Sequence, residues 1–343
     1  MRMIAALVLI FTVGCQPASQ TMTLEGQTMG TTYRVVIVNT HGADDQESLR
    51  ASVDDVLEEF NARFSNWDAN SEVSRFNADE SGRPVSVSAE LLDVVRTADA
   101  VHKRSEGKFD ITLAPLIELW GFGAPGPRAD VPSDRAIERA LELVGQGERI
   151  SRDDAAGTIA KTTPGASIYL AAIAKGEGID RVAQHLSDLG FDNFMVEIGG
   201  DLFARGEGPT GLGWRVGIEE PTSGERKVER IVAIDGWGMA TSGDYRNYFE
   251  QDGVRYSHII DPETGKPVLH STASVTVLAE NAALADAWAT ALLVLGSERG
   301  LTIAEEEELA AFFIDRRQPR SLEGFLGAES STFAVLSQHP KDE

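Results

Sequence analysis

The feature that most constrains this chain is a run of short apolar, β-branched segments in its middle, with glycine in the gaps. Asn193–Ile198, Asp201–Arg205, Trp214–Ile218 and Ile231–Ile234 each read as a strand. Tight glycine turns join neighbouring strands antiparallel, because a parallel partner needs a crossover of a dozen or more residues. Helical patterns flank this run. Gln46–Phe64 places Leu49, Val53, Val56, Leu57, Phe60 and Phe64 on one face. Ser88 can cap a helix that runs to Glu106, Ser133 starts another to Val144, and Asn281 caps one to Leu295. The pattern also predicts a helix over Ile168–Leu189, and strands over Tyr33–Val38, Pro84–Ser88, Ser274–Leu278, Ala311–Ile314 and Thr332–Leu336. The fold class expected is α+β: a mixed, largely antiparallel sheet flanked by helices.

Composition narrows the function. A net charge of −23 argues against a nucleic-acid partner, which requires a basic face to meet phosphates. A single cysteine, Cys15, can form neither an internal disulfide nor a zinc-thiolate site. Met1-Arg2-Met3, the apolar stretch Ile4–Val13 and Gly14-Cys15 together read as a secretory signal over residues 1–14. A small residue directly before a lone cysteine resembles a lipobox, so Cys15 is expected to carry the lipid and anchor the chain in the bacterial envelope, facing the periplasm or the exterior. Residues 15–22 then form a tether, and residues 23–343 the functional domain, as one body or two intertwined subdomains.

Gly206, Gly208 and Gly211 satisfy G-x-G-x-x-G by letter, but the strand-like Trp214–Ile218 follows where a dinucleotide-binding loop must open a helix. Four other segments hold more polar and glycine residues than a plain core would. Glu197-Ile198-Gly199-Gly200-Asp201 either turns a hairpin or lets backbone approach a ligand closely. Thr241 to Asn247 gathers hydroxyls, Asp244 and Arg246, suiting either phosphate oxygens or a polar turn. His258, at a strand end before Asp261-Pro262, suits a general base or a structural histidine. Asp286 and Thr290 are one turn apart in an otherwise apolar helix. A carboxylate there needs a partner, either a hard cation such as Mg²⁺ or a neighbouring loop.

In this order the segments resemble the ApbE-type FAD:protein FMN transferases, a family formerly labelled thiamine-biosynthesis lipoproteins. The resemblance is carried by Met29-Gly30-Thr31-Thr32-Tyr33, Phe64-Ser65-Asn66-Trp67-Asp68, Arg75-Phe76-Asn77, Gly107-Lys108-Phe109-Asp110-Ile111-Thr112 and Ala172-Ile173-Ala174-Lys175-Gly176, with the four segments above. It implies an ApbE-like fold and the transfer of FMN from FAD to a threonine hydroxyl of a target flavoprotein, a subunit of a membrane redox complex, with release of AMP. It further implies that Asp286, Thr290 and the carbonyl of Ala172 bind Mg²⁺ and that His258 is the base. Met29, Trp67, Phe109, Asp110, Ile111, Lys175 and Ile260 would contact the cofactor, and Arg246 its phosphates. Tyr169 stands where the family often has Asp. Two other activities share these residues: an Mg²⁺-dependent FAD pyrophosphatase yielding FMN and AMP, and a flavin-binding lipoprotein without chemistry. Replacing Cys15 by Ser is expected to release the protein from the membrane fraction, read by fractionation of cells and immunoblotting.

Overall fold

A computed structural model describes residues 21–38, 45–123, 130–222, 227–317 and 324–337. The signal, Cys15 and most of the tether lie outside the described residues. In chain order the first half holds β1 (Thr21–Thr28), β2 (Thr31–Val38), α1 (Gln46–Phe64), α2 (Glu72–Ala78), β3 (Val85–Ser86), α3 (Ala89–Arg104), α4 (Ala114–Leu119), α5 (Asp134–Leu141), α6 (Gln146–Arg149), β4 (Ile150–Asp153) and β5 (Thr158–Lys161). The second half holds α7 (Ala174–Asp188), β6 (Phe194–Ile198), β7 (Asp201–Arg205), β8 (Trp214–Glu219), β9 (Val228–Ile234), β10 (Trp237–Gly243), β11 (Tyr248–Gln251), β12 (Val254–Ser257), β13 (Thr272–Ala279), α8 (Ala282–Glu306), β14 (Ala310–Arg316), β15 (Phe325–Glu329) and α9 (Ser331–Ser337).

Eight strands form one sheet in the order β1-β2-β6-β7-β10-β13-β14-β15, and every neighbouring pair is antiparallel. The expected α+β class and antiparallel sheet therefore hold. Helices α1, α7 and α8 cover one face. The hairpin of β8 and β9 and the short α9 cover part of the other, burying Trp214, Ile218, Val232 and Phe333. Strand β13 is buried at all eight positions, which marks it as the middle of the molecule.

Two predicted elements differ. The helix expected from Ile168 begins only at Ala174. Residues 168–170 are held extended by side chains instead: Ile168 exchanges hydrogen bonds with Asn77 in both directions at 2.8 Å, and its carbonyl also accepts from Asn66 Nδ2 at 2.8 Å. The Leu170 amide donates to Asn66 Oδ1 at 3.0 Å, and the Tyr169 amide to the Ile111 carbonyl at 2.6 Å. The local helical pattern loses to these long-range bonds. The strand expected at Thr332–Leu336 is helix α9. Ser330 caps it by accepting from the Phe333 amide at 3.2 Å, and Phe333 stacks on Phe312 with ring centroids 5.3 Å apart. A single buried anchor in this segment suits one helical turn and gives a strand no apolar face.

From Ala282 to Leu295, before the backbone breaks at Gly296, α8 is apolar almost all round, as a helix enclosed by protein must be. The Asn281 side chain accepts from the Leu284 amide at 2.8 Å, as the cap signal predicts. Asp180, on α7, accepts from the Ala282 and Ala283 amides at 2.9 Å each, which satisfies two more of the orphan donors at the start of α8. Burial pushes the Asp180 carboxyl up to about 7, against the downward pull of those two amides.

The start of α8 is pressed against its neighbours backbone to backbone. A Cβ on Gly176 would lie 2.2 Å from the Ala282 carbonyl oxygen, and one on Gly238 would lie 2.4 Å from the Ala282 nitrogen. Both contacts are with main chain, so neither can be relieved by a rotamer change. Gly176→Ala is expected to destabilise the fold by about 2 kcal/mol, visible as a lowered midpoint in urea denaturation with an unchanged slope.

Candidate active site

Where β7 and β10 leave the sheet beside α7 and α8, a cleft of about 720 Å³ opens. Its floor comes from α7 and α8. The hydrophobic pattern that buries α8 also buries Asp286, whose exposure is 3%. Thr290 follows one turn later, and its hydroxyl is 3.0 Å from Ser242 Oγ on β10. Lys175, in the first turn of α7, places its ammonium 3.7 Å from Asp286 Oδ1 and in contact with Asp201 Oδ2. Asp286 Oδ2 accepts from the Gly176 amide at 3.2 Å. The close approach that Gly176 permits is what puts these groups side by side.

Electrostatics follow from burial. Desolvation pushes the Asp286 carboxyl up to about 6, with the Lys175 ammonium pulling down and Asp201 pushing up. Desolvation works to lower the Lys175 pKa, but the charges of Asp201 and Asp286 outweigh it and hold the ammonium above its ordinary value. The side chain of Lys175 remains one-third exposed, toward the cleft.

His258 follows β12 and is half-buried on the cleft wall. Its Nδ1 is 3.1 Å from the Asn247 carbonyl, which favours the tautomer protonated there and leaves Nε2 as the acceptor. Burial lowers the imidazole pKa, and the hydrogen bond to Asn247 and the charge of Asp244 only partly oppose that. The ring is therefore neutral at neutral pH.

The structure brings Phe109, Asp110, Ala172, Lys175, Arg246, His258, Ile260, Asp286 and Thr290 to this one cleft. Three other residues expected at the cofactor do not line it. Met29 lies in the β1–β2 turn with φ of 50°, and its methyl packs onto Gly178. Ile111 is fully buried, and its amide donates to Gln146 Oε1 at 3.1 Å. Trp67 is 64% exposed outside the cleft. Tyr169 does line it, with burial raising its phenol pKa, so its hydroxyl is neutral.

Several motif residues work in the scaffold. Asn66 and Asn77 clamp the segment leading to Ala172. Asp110 accepts from the Thr112 amide at 2.6 Å and the Gln146 amide at 2.8 Å. Asp244, read from sequence as part of a phosphate cluster, is paired bidentately with Arg316 instead. Arg246 stays at the rim, 3.5 Å from Glu219 and stacked over Tyr245. Sequence reasoning gave no individual role to Asp201 or Lys108, both of which line the cleft. The signal for Asp201 was present in the polar residue that ends Glu-Ile-Gly-Gly-Asp. Among the described residues no group of three or more His, Cys, Asp or Glu side chains could hold a metal. The donor set of Asp286, the Thr290 hydroxyl and the Ala172 carbonyl is all oxygen, which fits a hard cation that keeps most of its waters.

The chain matches the model of the ApbE family over residues 29–313. It is 40% identical over 332 residues to the FAD:protein FMN transferase of Vibrio cholerae, covering 96% of this chain and 97% of that one. It is 37% identical over 339 residues to the FAD:protein FMN transferase of Haemophilus influenzae, covering 98% and 97%. Among solved structures, the flavin transferase ApbE from Vibrio cholerae superposes with a TM-score of 0.84 at 39% identity, over 93% of this chain and 99% of that one. The apo flavinyl transferase ApbE of Pseudomonas stutzeri gives 0.84 at 37% identity, over 94% and 98%. The fold is that of the ApbE flavin transferases, and the chain is a transferase. The chain belongs to the ApbE family.

Removing Arg316 would leave the Asp244 carboxylate, at 7% exposure, without its counter-charge. Arg316→Leu is therefore expected to cost about 3 kcal/mol of stability, measured by chemical denaturation.

Proposed function

We propose that this enzyme transfers FMN from FAD to a threonine hydroxyl of a partner flavoprotein and releases AMP. The observation that carries the reading is the meeting, in one cleft, of a neutral His258 with Lys175, Arg246 and the Asp286–Thr290 oxygen pair. The names of the relatives in Vibrio cholerae and Haemophilus influenzae point the same way. The threonine oxygen forms a bond to the FMN phosphorus, the bond from that phosphorus to the bridging oxygen breaks, and the pair leaves on AMP. Nε2 of His258 takes the threonine proton. Lys175 and Arg246 offset charge on the pyrophosphate, and the neutral Tyr169 hydroxyl adds none. Ala172, Asp286 and Thr290 would hold Mg²⁺, which when bound would neutralise phosphate charge and orient the leaving group. The acceptor would be a subunit of a membrane redox complex. A lipid on Cys15 would place the enzyme at the same surface.

The test is incubation of the purified enzyme with FAD, Mg²⁺ and a threonine-containing target domain. Acid-stable flavin on the target supports the reading. Free FMN and AMP formed at the same rate without a target would overturn it in favour of hydrolysis. His258→Ala is expected to slow transfer by about 10²–10⁴-fold with FAD binding preserved. Because burial depresses the His258 pKa, the base is unprotonated above that value, so the acid limb of the pH–rate profile should fall below the usual histidine range.

A further inference from the structure

Asp201 carries no part in the transfer described above, yet both of its carboxylate oxygens are held at the cleft. It is 2% exposed. Its Oδ1 accepts from the Thr241 amide at 3.0 Å, and its Oδ2 takes the Lys175 ammonium. That same ammonium is 3.7 Å from Asp286 Oδ1, so two buried carboxylates share one cation and Asp201 holds the nearer place. The backbone fixes this division. Asp201 opens β7 directly after Gly199 and Gly200, whose φ values of 60° and 100° belong to a turn that glycine accommodates readily. Thr241 is on the adjoining β10, and Lys175 is on α7.

A lysine ammonium is a compact point charge on a flexible stem. Seated on Asp286, it would occupy the oxygens that a divalent cation needs. Two carboxylates and one ammonium leave one uncompensated negative charge in a buried cluster, which favours a further cation. With an uncharged side chain in place of Asp201, Lys175 and Asp286 would compensate each other and the demand for a cation would disappear. We propose that Asp201 is a positioning residue: it holds the Lys175 ammonium to its own side and so keeps Asp286 open to a divalent cation. This rests on the reading of Asp286 as a cation ligand, and it concerns the affinity of the empty site for metal rather than the transfer step.

The test uses Mn²⁺ as the probe and the full mature chain, with and without saturating FAD, and reads bound Mn²⁺ from the loss of the free-ion electron paramagnetic resonance spectrum. Asp201→Asn should weaken Mn²⁺ binding about tenfold or more. Adding Lys175→Met to Asp201→Asn removes the competing ammonium and should restore binding to within about threefold of the parent. A parent chain that binds no Mn²⁺ in either condition would overturn the metal assignment itself. A parent that binds while Asp201→Asn binds equally well would overturn only the role of Asp201. A double variant as weak as the single one would also overturn it, since Asp201 would then be a direct ligand or a support of the fold. Thermal melts of all three proteins separate that last pair: a ligand role leaves the metal-free melt of Asp201→Asn near the parent, and a folding role lowers it.

Discussion

A carboxylate in the middle of an apolar helix is the constraint on which the rest of this structure turns. Asp286 sits in α8 among alanine and leucine, at a depth where an ionised group without a partner is not tolerated. It therefore needs a counter-charge close by, and the Lys175 ammonium, seated on Asp201, comes within 3.7 Å of it because α7 lies against α8 at main-chain distance. That distance requires Gly176, and the opposite flank of α8 requires Gly238. Asp180 and Asn281 then satisfy the amides at the start of α8 that so close a contact would otherwise shut off from water. The approach of Lys175 to Asp286 thus depends on Gly176, while Gly238, Asp180 and Asn281 accommodate the same end of α8.

Much of this was legible in the sequence, and unevenly so. The bounds of α1 are those read from apolar periodicity, and Ser88 and Asn281 cap α3 and α8 as their side-chain chemistry predicts. In one failure distant contacts overrode the local pattern, and in the other a local cap and one distant ring did. Ile168–Ile173 carries a helical pattern but is clamped by Asn66 and Asn77, about ninety to a hundred residues earlier. Thr332–Leu336 carries strand-forming residues but folds as a helix because Ser330 caps it and a single ring, Phe333, finds a pocket. Strand β1, with polar residues at many positions, shows no clear apolar alternation and is recognised only through its pairing with β2.

The site shows the same division. Residues whose chemistry is conspicuous in sequence, such as His258 and the Asp286–Thr290 pair, do line the cleft. Asn66, Asn77 and Asp244 belong to equally conspicuous motifs, but their hydrogen bonds go to the scaffold, as do those of Asp110 even though it lines the cleft. The resemblance to the ApbE family does not separate these two groups, because a motif preserves whatever is needed, clamp or reagent. Only the partner of each polar atom tells them apart. The acidity of the whole chain acquires a local meaning as well. A protein of net charge −23 offers a nucleotide little attraction at long range, so the cations that line the cleft, Lys108, Lys175 and Arg246, matter at short range.

The burial of Asp286 also bears on how such an enzyme can change over time. Buried ion clusters are often less stabilising than apolar residues of the same shape. Replacing the Lys175–Asp201–Asp286 cluster with well-packed hydrophobic side chains would therefore tend to give a sturdier molecule with no chemistry. Selection for heat resistance alone, in a laboratory or a warm habitat, would erode this centre first.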